Sequence, residues 1–169
     1  MNDWFEFILS LVAFLGSHIV PIRFKDRLTA RLGRRGYLAL YSLLSLALLL
    51  WVIAAAGRAP FIQLWPQPLW SRWLVNLVMP VAVFLGATAG LGGVLTGFTL
   101  WACAHLIANG DVAHVILFGL LLTYAVAGLA RLRPRLAPRL TPLRLLIAVA
   151  LWAGLYHLHP LITGVSPLP

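Results

Sequence analysis

The sequence predicts an all-α, polytopic transmembrane helical bundle of about six spans with both termini periplasmic, and three observations carry that prediction. Apolar residues make up 62% of the 169-residue chain and charged residues only 10%, against roughly 45–50% and 25% in a soluble domain. The apolar residues fall into runs near the ~20 residues that a helix needs to cross a ~30 Å hydrocarbon core. The third observation is the placement of the basic residues. Arg23, Lys25, Arg27, Arg31, Arg34 and Arg35 lie in one short stretch and Arg131, Arg133, Arg135, Arg139 and Arg144 in another, which is how cytoplasmic loops orient a bundle. A single domain over residues 1–169 is expected, as a multi-pass protein of the bacterial inner membrane.

The first span is expected from Trp4 to Val20, ending at Pro21, with Trp4 and Phe5 as an interface anchor. The N-terminal residues Asp3 and Glu6 bring no basic n-region, so this span is read as retained rather than cleaved. A basic loop, Arg23 to Gly36, follows; its Leu28, Arg31, Leu32, Arg35 spacing predicts a short amphipathic helix on the membrane surface, ended by Gly33 and Gly36. Span two covers Tyr37 to Ala56. The stretch FIQLWPQPLWSRW from Phe61 to Trp73 is expected to be an interfacial loop, because its prolines oppose a regular helix and its tryptophans favour headgroup depth.

Span three, about Leu74 to Ala89, leads into a Gly-rich turn at Gly90, Gly92 and Gly93. The pairs Gly86/Gly90 and Gly93/Gly97 have the spacing that lets membrane helices approach closely, within one chain or between copies in an oligomer. Span four, about Gly93 to Ala108, carries His105 in the stretch WACAHLIANGD. Asn109, Gly110 and Asp111 form a connection short enough to make spans four and five an antiparallel hairpin, with Asp111 capping span five at its N-terminus. Span five runs from about Val112 to Arg131. An Arg/Pro-rich loop, Arg131 to Pro142, leads to span six, about Leu143 to His157, and then to an uncharged tail.

Charge and motif together exclude several chemistries. The net charge of +9 resides in loops beside spans, so the expected partners are lipid headgroups and not nucleic acid. The lone Cys103 permits neither an internal disulfide nor a thiolate cluster. The four acids, Asp3, Glu6, Asp26 and Asp111, all fall at span ends or in loops, which argues against a carboxylate-rich di-iron or hydrolytic zinc site. No catalytic triad or phosphate-cradling glycine motif is present, and no catalytic residue is assigned.

The intramembrane histidines, His18 and His105, are the remaining ionisable groups at depth, where such residues are costly and often functional. At a ~1.5 Å rise per residue, His18 lies roughly 21 Å from the outer edge and His105 roughly 18 Å from the inner one, a difference in height that tilt and side-chain reach can narrow. Two readings stand: hydrogen-bonding groups between helices, or axial ligands of a haem, whose macrocycle supplies the other four nitrogens. His114 is read as interfacial. His157 and His159 are read as polar tips at the outer end of span six.

The motifs Gly16-Ser17-His18-Ile19-Val20-Pro21, Arg58-Ala59-Pro60, Trp65-Pro66-x-Pro68-x-Trp70, WACAHLIANGD and the tail from His159-Pro160 through Gly164-Val165-Ser166-Pro167-Leu168-Pro169 resemble the NnrU family over essentially the whole chain. That family is associated with denitrification and nitric oxide metabolism and is itself similar to the 15-cis-zeta-carotene isomerases, which bind haem b through histidines. The resemblance implies haem b on His105 and His18, a gaseous or small apolar ligand, and a role in sensing, haem handling or redox support. A polyene cis–trans isomerase and a non-catalytic assembly factor are the alternatives. Relatives often carry Arg-His-Pro before span four, where this chain has Leu91-Gly92-Gly93; a ligand lost there would have to be replaced by His18, His157 or His159.

Overall fold

The computed structural model describes residues 3–168, with the side chains of residues 19–23 outside the description. Six helical segments and no strands are found among the described residues. Five helical stretches are, by length and composition, long and apolar enough to cross a membrane: Phe24–Arg58, Leu69–Thr88, Gly90–Ala108, Val112–Leu132 and Pro142–Thr163. Their outward faces are aliphatic, with Leu43 67%, Leu77 71% and Leu161 82% exposed. An apolar surface of that extent requires a lipid solvent, and the chain is a membrane protein.

Two compact units divide the chain, Met1–Pro60 and Phe61–Pro169. The first is built from one element, α1 (Asp3–Arg58), which the non-helical backbone of Gly33 (φ 69°, ψ 162°) breaks into two arms. A left-handed φ is costly for any residue with a Cβ, so glycine sets the break. The arms run antiparallel: Glu6 pairs with Arg58 and accepts a 3.1 Å hydrogen bond from the Trp51 indole, while the His18 and Tyr41 rings lie 5.9 Å apart. Phe7, Leu11 and Phe14 of the first arm and Val52, Ala55 and Ala56 of the second are buried.

The sequence places a basic loop from Arg23 to Gly36, and the structure differs there. Helix runs unbroken through Pro21 to the Gly33 break and resumes at once. A proline removes a single backbone hydrogen bond and is tolerated in membrane helices, and the Arg, Lys, Leu and Ala residues that follow are good helix formers. The expected amphipathic segment therefore exists as an extension of the first arm. The end of the first expected span, at Ile19, Val20 and Pro21, has its side chains outside the described residues.

The second unit contains α2 (Leu69–Thr88), α3 (Gly90–Ala108), α4 (Val112–Leu132) and α5 (Pro142–Thr163). Contacts link α2 to both α3 and α5, and α3 to α4, so the helices stand in the order α5, α2, α3, α4. The tightest seam is α2 against α3. A Cβ at Gly97 would overlap the Ala82 carbonyl, and one at Gly93 the Leu85 carbonyl. Bare glycine brings the two backbones into van der Waals contact, the main attraction available between helices in lipid. Gly93 and Gly97 are thus used within the chain, and the expected Gly-rich turn contracts to a break at Ala89, with Gly92 and Gly93 already helical.

Helix α2 also starts earlier than expected, at Leu69, because Pro68 fixes an extended N-cap (φ −70°, ψ 153°) and no proline follows until Pro80. Helix α5 runs past His157 and His159 to Thr163 and ends at Gly164, which adopts a left-handed conformation. The tail returns to α2: Arg72 donates to the carbonyls of Ser166 and Leu168, and the Asn76 amide donates to Pro167 at 2.7 Å. One end of this unit thus gathers the N-terminus of α2, the Asn109–Asp111 turn and the tail, and the other gathers the arginines of residues 131–144.

Overpacking the α2–α3 seam tests its importance. Gly97→Leu is expected to destabilise the protein by about 1–3 kcal/mol, read as a lower melting temperature in detergent. Gly119→Ala, at a helical glycine with nothing near its missing Cβ, is expected to melt like the wild type.

Candidate functional site

The turn that joins α3 to α4 is held from several sides. The Gly110 carbonyl accepts the Leu64 N–H at 2.7 Å and the Trp65 N–H at 3.2 Å, and the Val112 N–H donates to Ile62 at 3.0 Å. These bonds form a short antiparallel bridge between Gln63 and Asp111. The Trp65 indole donates to the Ile107 carbonyl at 3.3 Å, and a Cβ at Gly110 would overlap the Trp65 carbonyl. The Trp/Pro stretch is therefore a strap across the turn, satisfying backbone groups that the ends of α3 and α4 leave without helical partners.

Asp111 is 3% exposed and is the N-cap of α4, accepting the His114 N–H at 3.2 Å. Its carboxylate also meets His114 Nδ1 at 2.7 Å. The i, i+3 spacing places that ring over the cap, so Asp111 carries both the helix start and the orientation of His114. On the α3 side, the Asn109 amide donates to the His105 carbonyl at 2.8 Å. Asn109, Gly110 and Asp111 thus fix the end of the helix that carries His105.

His105 is half-buried among aromatic rings. Trp101 lies 5.3 Å and Phe118 5.1 Å from its ring centroid, and Trp101 and Phe118 meet edge-on at 5.3 Å. His105 Nδ1 lies 2.9 Å from the Trp101 carbonyl one turn back. A carbonyl can only accept, so Nδ1 carries the proton and Nε2 keeps its lone pair; Nε2 makes no hydrogen bond among the described residues. A ligating imidazole is oriented in this way, with one nitrogen tied to a fixed acceptor and the other presented to the metal.

His18 belongs to the first unit and repeats the local pattern. Its Nδ1 donates to the Phe14 carbonyl at 2.8 Å and lies 3.2 Å from Ser17 Oγ, with the Phe14 ring 4.5 Å away. His159 Nδ1 donates to the Val165 carbonyl at 2.7 Å. His157 packs edge-on against Tyr156. No group of three or more His, Cys, Asp or Glu side chains is arranged to hold a metal ion among the described residues, so a metal here would need most of its ligands from elsewhere.

Sequence reasoning placed His105 and the Asn-Gly-Asp turn in one motif but missed two members of the arrangement. His114, read as merely interfacial, is the Asp111 partner, and the i, i+3 spacing after a helix-capping acid was the available signal. Trp65, read as an interface anchor, closes the turn; its partner is 42 residues away in sequence, and local pattern carries no trace of that pairing.

The cap predicts a graded response. Asp111→Ala is expected to lower stability by about 1–2 kcal/mol through loss of the N-cap, whereas Asp111→Asn keeps an acceptor oxygen and is expected to retain most of it. Thermal melts of the two variants in one detergent separate these outcomes.

No curated protein and no solved structure matches the chain. The family model described as "NnrU protein" matches residues 6–167, which takes in α1 from Glu6 onward, the Trp/Pro strap, the turn with His105 and all but the last residues of the tail. The chain belongs to the NnrU family.

Proposed function

We propose that this protein is a b-type haem protein of the bacterial inner membrane that serves denitrification or nitric oxide metabolism, with His105 as the principal iron ligand. One observation supports the ligand assignment above the others: His105 Nδ1 is committed to the Trp101 carbonyl while Nε2 is left with its lone pair. The donor set suits this group. Imidazoles without neighbouring carboxylates make a poor site for a bare ion, yet they suffice for an iron whose macrocycle supplies four nitrogens. Trp101 and Phe118 offer the flat apolar faces that a porphyrin requires, and within the first unit the Phe14 carbonyl orients His18 in the same way. Family membership supports the link to denitrification.

A haem held there would supply an iron able to bind a diatomic gas or exchange an electron. The chain's own residues do the rest. The Trp101 carbonyl fixes the tautomer and angle of His105, the Asn109 amide holds the helix end, and the aromatic rings exclude water, which favours a neutral ligand. A second reading, haem-dependent cis–trans isomerisation of a polyene, draws on a different observation. A cleft of about 390 Å³ between α2 and α5 is lined by Pro80, Val81, Phe84, Leu145, Val149 and Trp152, a wholly apolar surface suited to a hydrocarbon chain.

The topology proposed with this function places the arginine-rich end of the second unit in the cytoplasm and both termini in the periplasm. Alkaline phosphatase fused after Pro169 is expected to be active; an inactive phosphatase with a fluorescent cytoplasmic reporter at the same junction would overturn this orientation. Protein purified in mild detergent from haem-replete cells is expected to show a Soret band that His105→Ala abolishes and His157→Ala leaves unchanged. A wild type without that band removes the haem reading, and an unaltered spectrum in His105→Ala removes the ligand assignment.

A further inference from the structure

The end of the second unit away from His105 carries five arginines, Arg131, Arg133, Arg135, Arg139 and Arg144, and no carboxylate; the unit's one acid, Asp111, caps α4 at the opposite end. Arg135, Arg139 and Arg144 line a cavity of about 420 Å³ together with Gly90, Gly92 and Pro134. Its walls are fixed. The Arg135 carbonyl sits where a Cβ of Gly92 would be. The Thr88 carbonyl accepts both the Arg139 N–H at 3.0 Å and Arg144 Nη1 at 2.8 Å, on a threonine that is fully buried. The backbone of the loop is thus pinned, while the guanidinium groups of Arg135 and Arg139 make no hydrogen bond or ion pair with any described residue.

Helix α3 starts at the same cavity. Ala89, its N-cap, offers no side-chain acceptor, and its first turn contains no acid. The unpaired guanidinium groups, the helix start and the missing counter-charge all call for an anion with several acceptor oxygens. We propose that this cavity binds a phosphate group, carried by an anionic phospholipid headgroup or free in solution. Guanidinium forks match phosphate oxygens in pairs, and first-turn N–H groups add further donors. Leu136, Leu140 and Leu143, the sequence neighbours of the arginines, are exposed and would lie beside acyl chains if the phosphate belongs to a lipid. A pinned cavity differs from the diffuse attraction of a basic loop to an anionic surface, because it predicts saturable binding that depends on particular arginines.

The test uses native mass spectrometry of the full chain in mild detergent, titrated with phosphatidylglycerol and with phosphatidylcholine. Wild type is expected to bind phosphatidylglycerol saturably and in preference to phosphatidylcholine. The double variant Arg135→Gln, Arg139→Gln is expected to weaken that binding by about tenfold, and Arg131→Gln, Arg133→Gln, which removes equal charge outside the cavity, by less than about twofold. Equal weakening in the two variants, no weakening in the first, or non-saturable binding by the wild type would overturn the proposal. Millimolar inorganic phosphate is the second probe. Displacement of phosphatidylglycerol by it assigns the site to free phosphate, and retention of the lipid assigns it to the headgroup. Binding of neither probe by the wild type also overturns the proposal, whatever the behaviour of the variants.

Discussion

Every backbone N–H and C=O that lies at membrane depth must find its partner inside the protein, since lipid offers none. The rest of this structure follows from that constraint. It makes the described chain helical almost throughout and confines irregular backbone to short breaks whose freed groups are met individually. Where α2 ends, the Thr88 carbonyl is taken by Arg139 and Arg144. At the turn between α3 and α4, the Gly110 carbonyl is taken by Leu64 and Trp65. The tail after α5 gives its carbonyls to Arg72 and Asn76. In each case a residue distant in sequence completes a helix end, so the loops are parts of the fold and more than connections.

The same constraint explains how the candidate site is ordered. A histidine in a span must place its ring N–H somewhere, and for both His105 and His18 the nearest acceptor is the carbonyl one turn back, at Trp101 and Phe14. That bond fixes the tautomer through the helix itself, without a carboxylate partner. It leaves the orientation of His105 dependent on the end of α3, which Asn109 holds from within and the Trp65 strap holds from outside. Asp111 completes the arrangement by capping the next helix and orienting His114. A short motif thereby sets two histidines on neighbouring helices.

Charge is distributed unequally between the two ends of the second unit. One end has tryptophans, histidines and a single capped aspartate; the other has arginines in excess and no acid. Such asymmetry orients a bundle during insertion. It also leaves a net positive end with no counter-charge beside it within the second unit. Packing is asymmetric as well: glycine brings α2 and α3 to backbone contact, whereas α5 meets α2 across an apolar cleft.

The sequence by itself determined the class and most of the helix boundaries, because apolar run length and basic loop placement respond directly to bilayer thickness and insertion. It also placed the Asp111 cap and the close packing at Gly93 and Gly97, since capping and small-residue spacing are local signals, but the pair Gly86/Gly90 meets open space at both missing Cβ positions. It misplaced the basic stretch after Pro21, where helix propensity carried the chain through a proline that local rules treat as a stop, and it began α2 too late because Trp70 and Trp73 read equally well as interface or as helix. Only the tertiary structure decided that Trp65 closes the turn, that His105 presents Nε2 after giving Nδ1 to Trp101, and that Arg135, Arg139 and Arg144 surround one cavity. The first and third depend on groups brought together by helix packing, whose order in lipid is set by surface fit that run length and hydropathy do not encode; the second is made within α3, by a ring orientation that residue spacing alone does not fix.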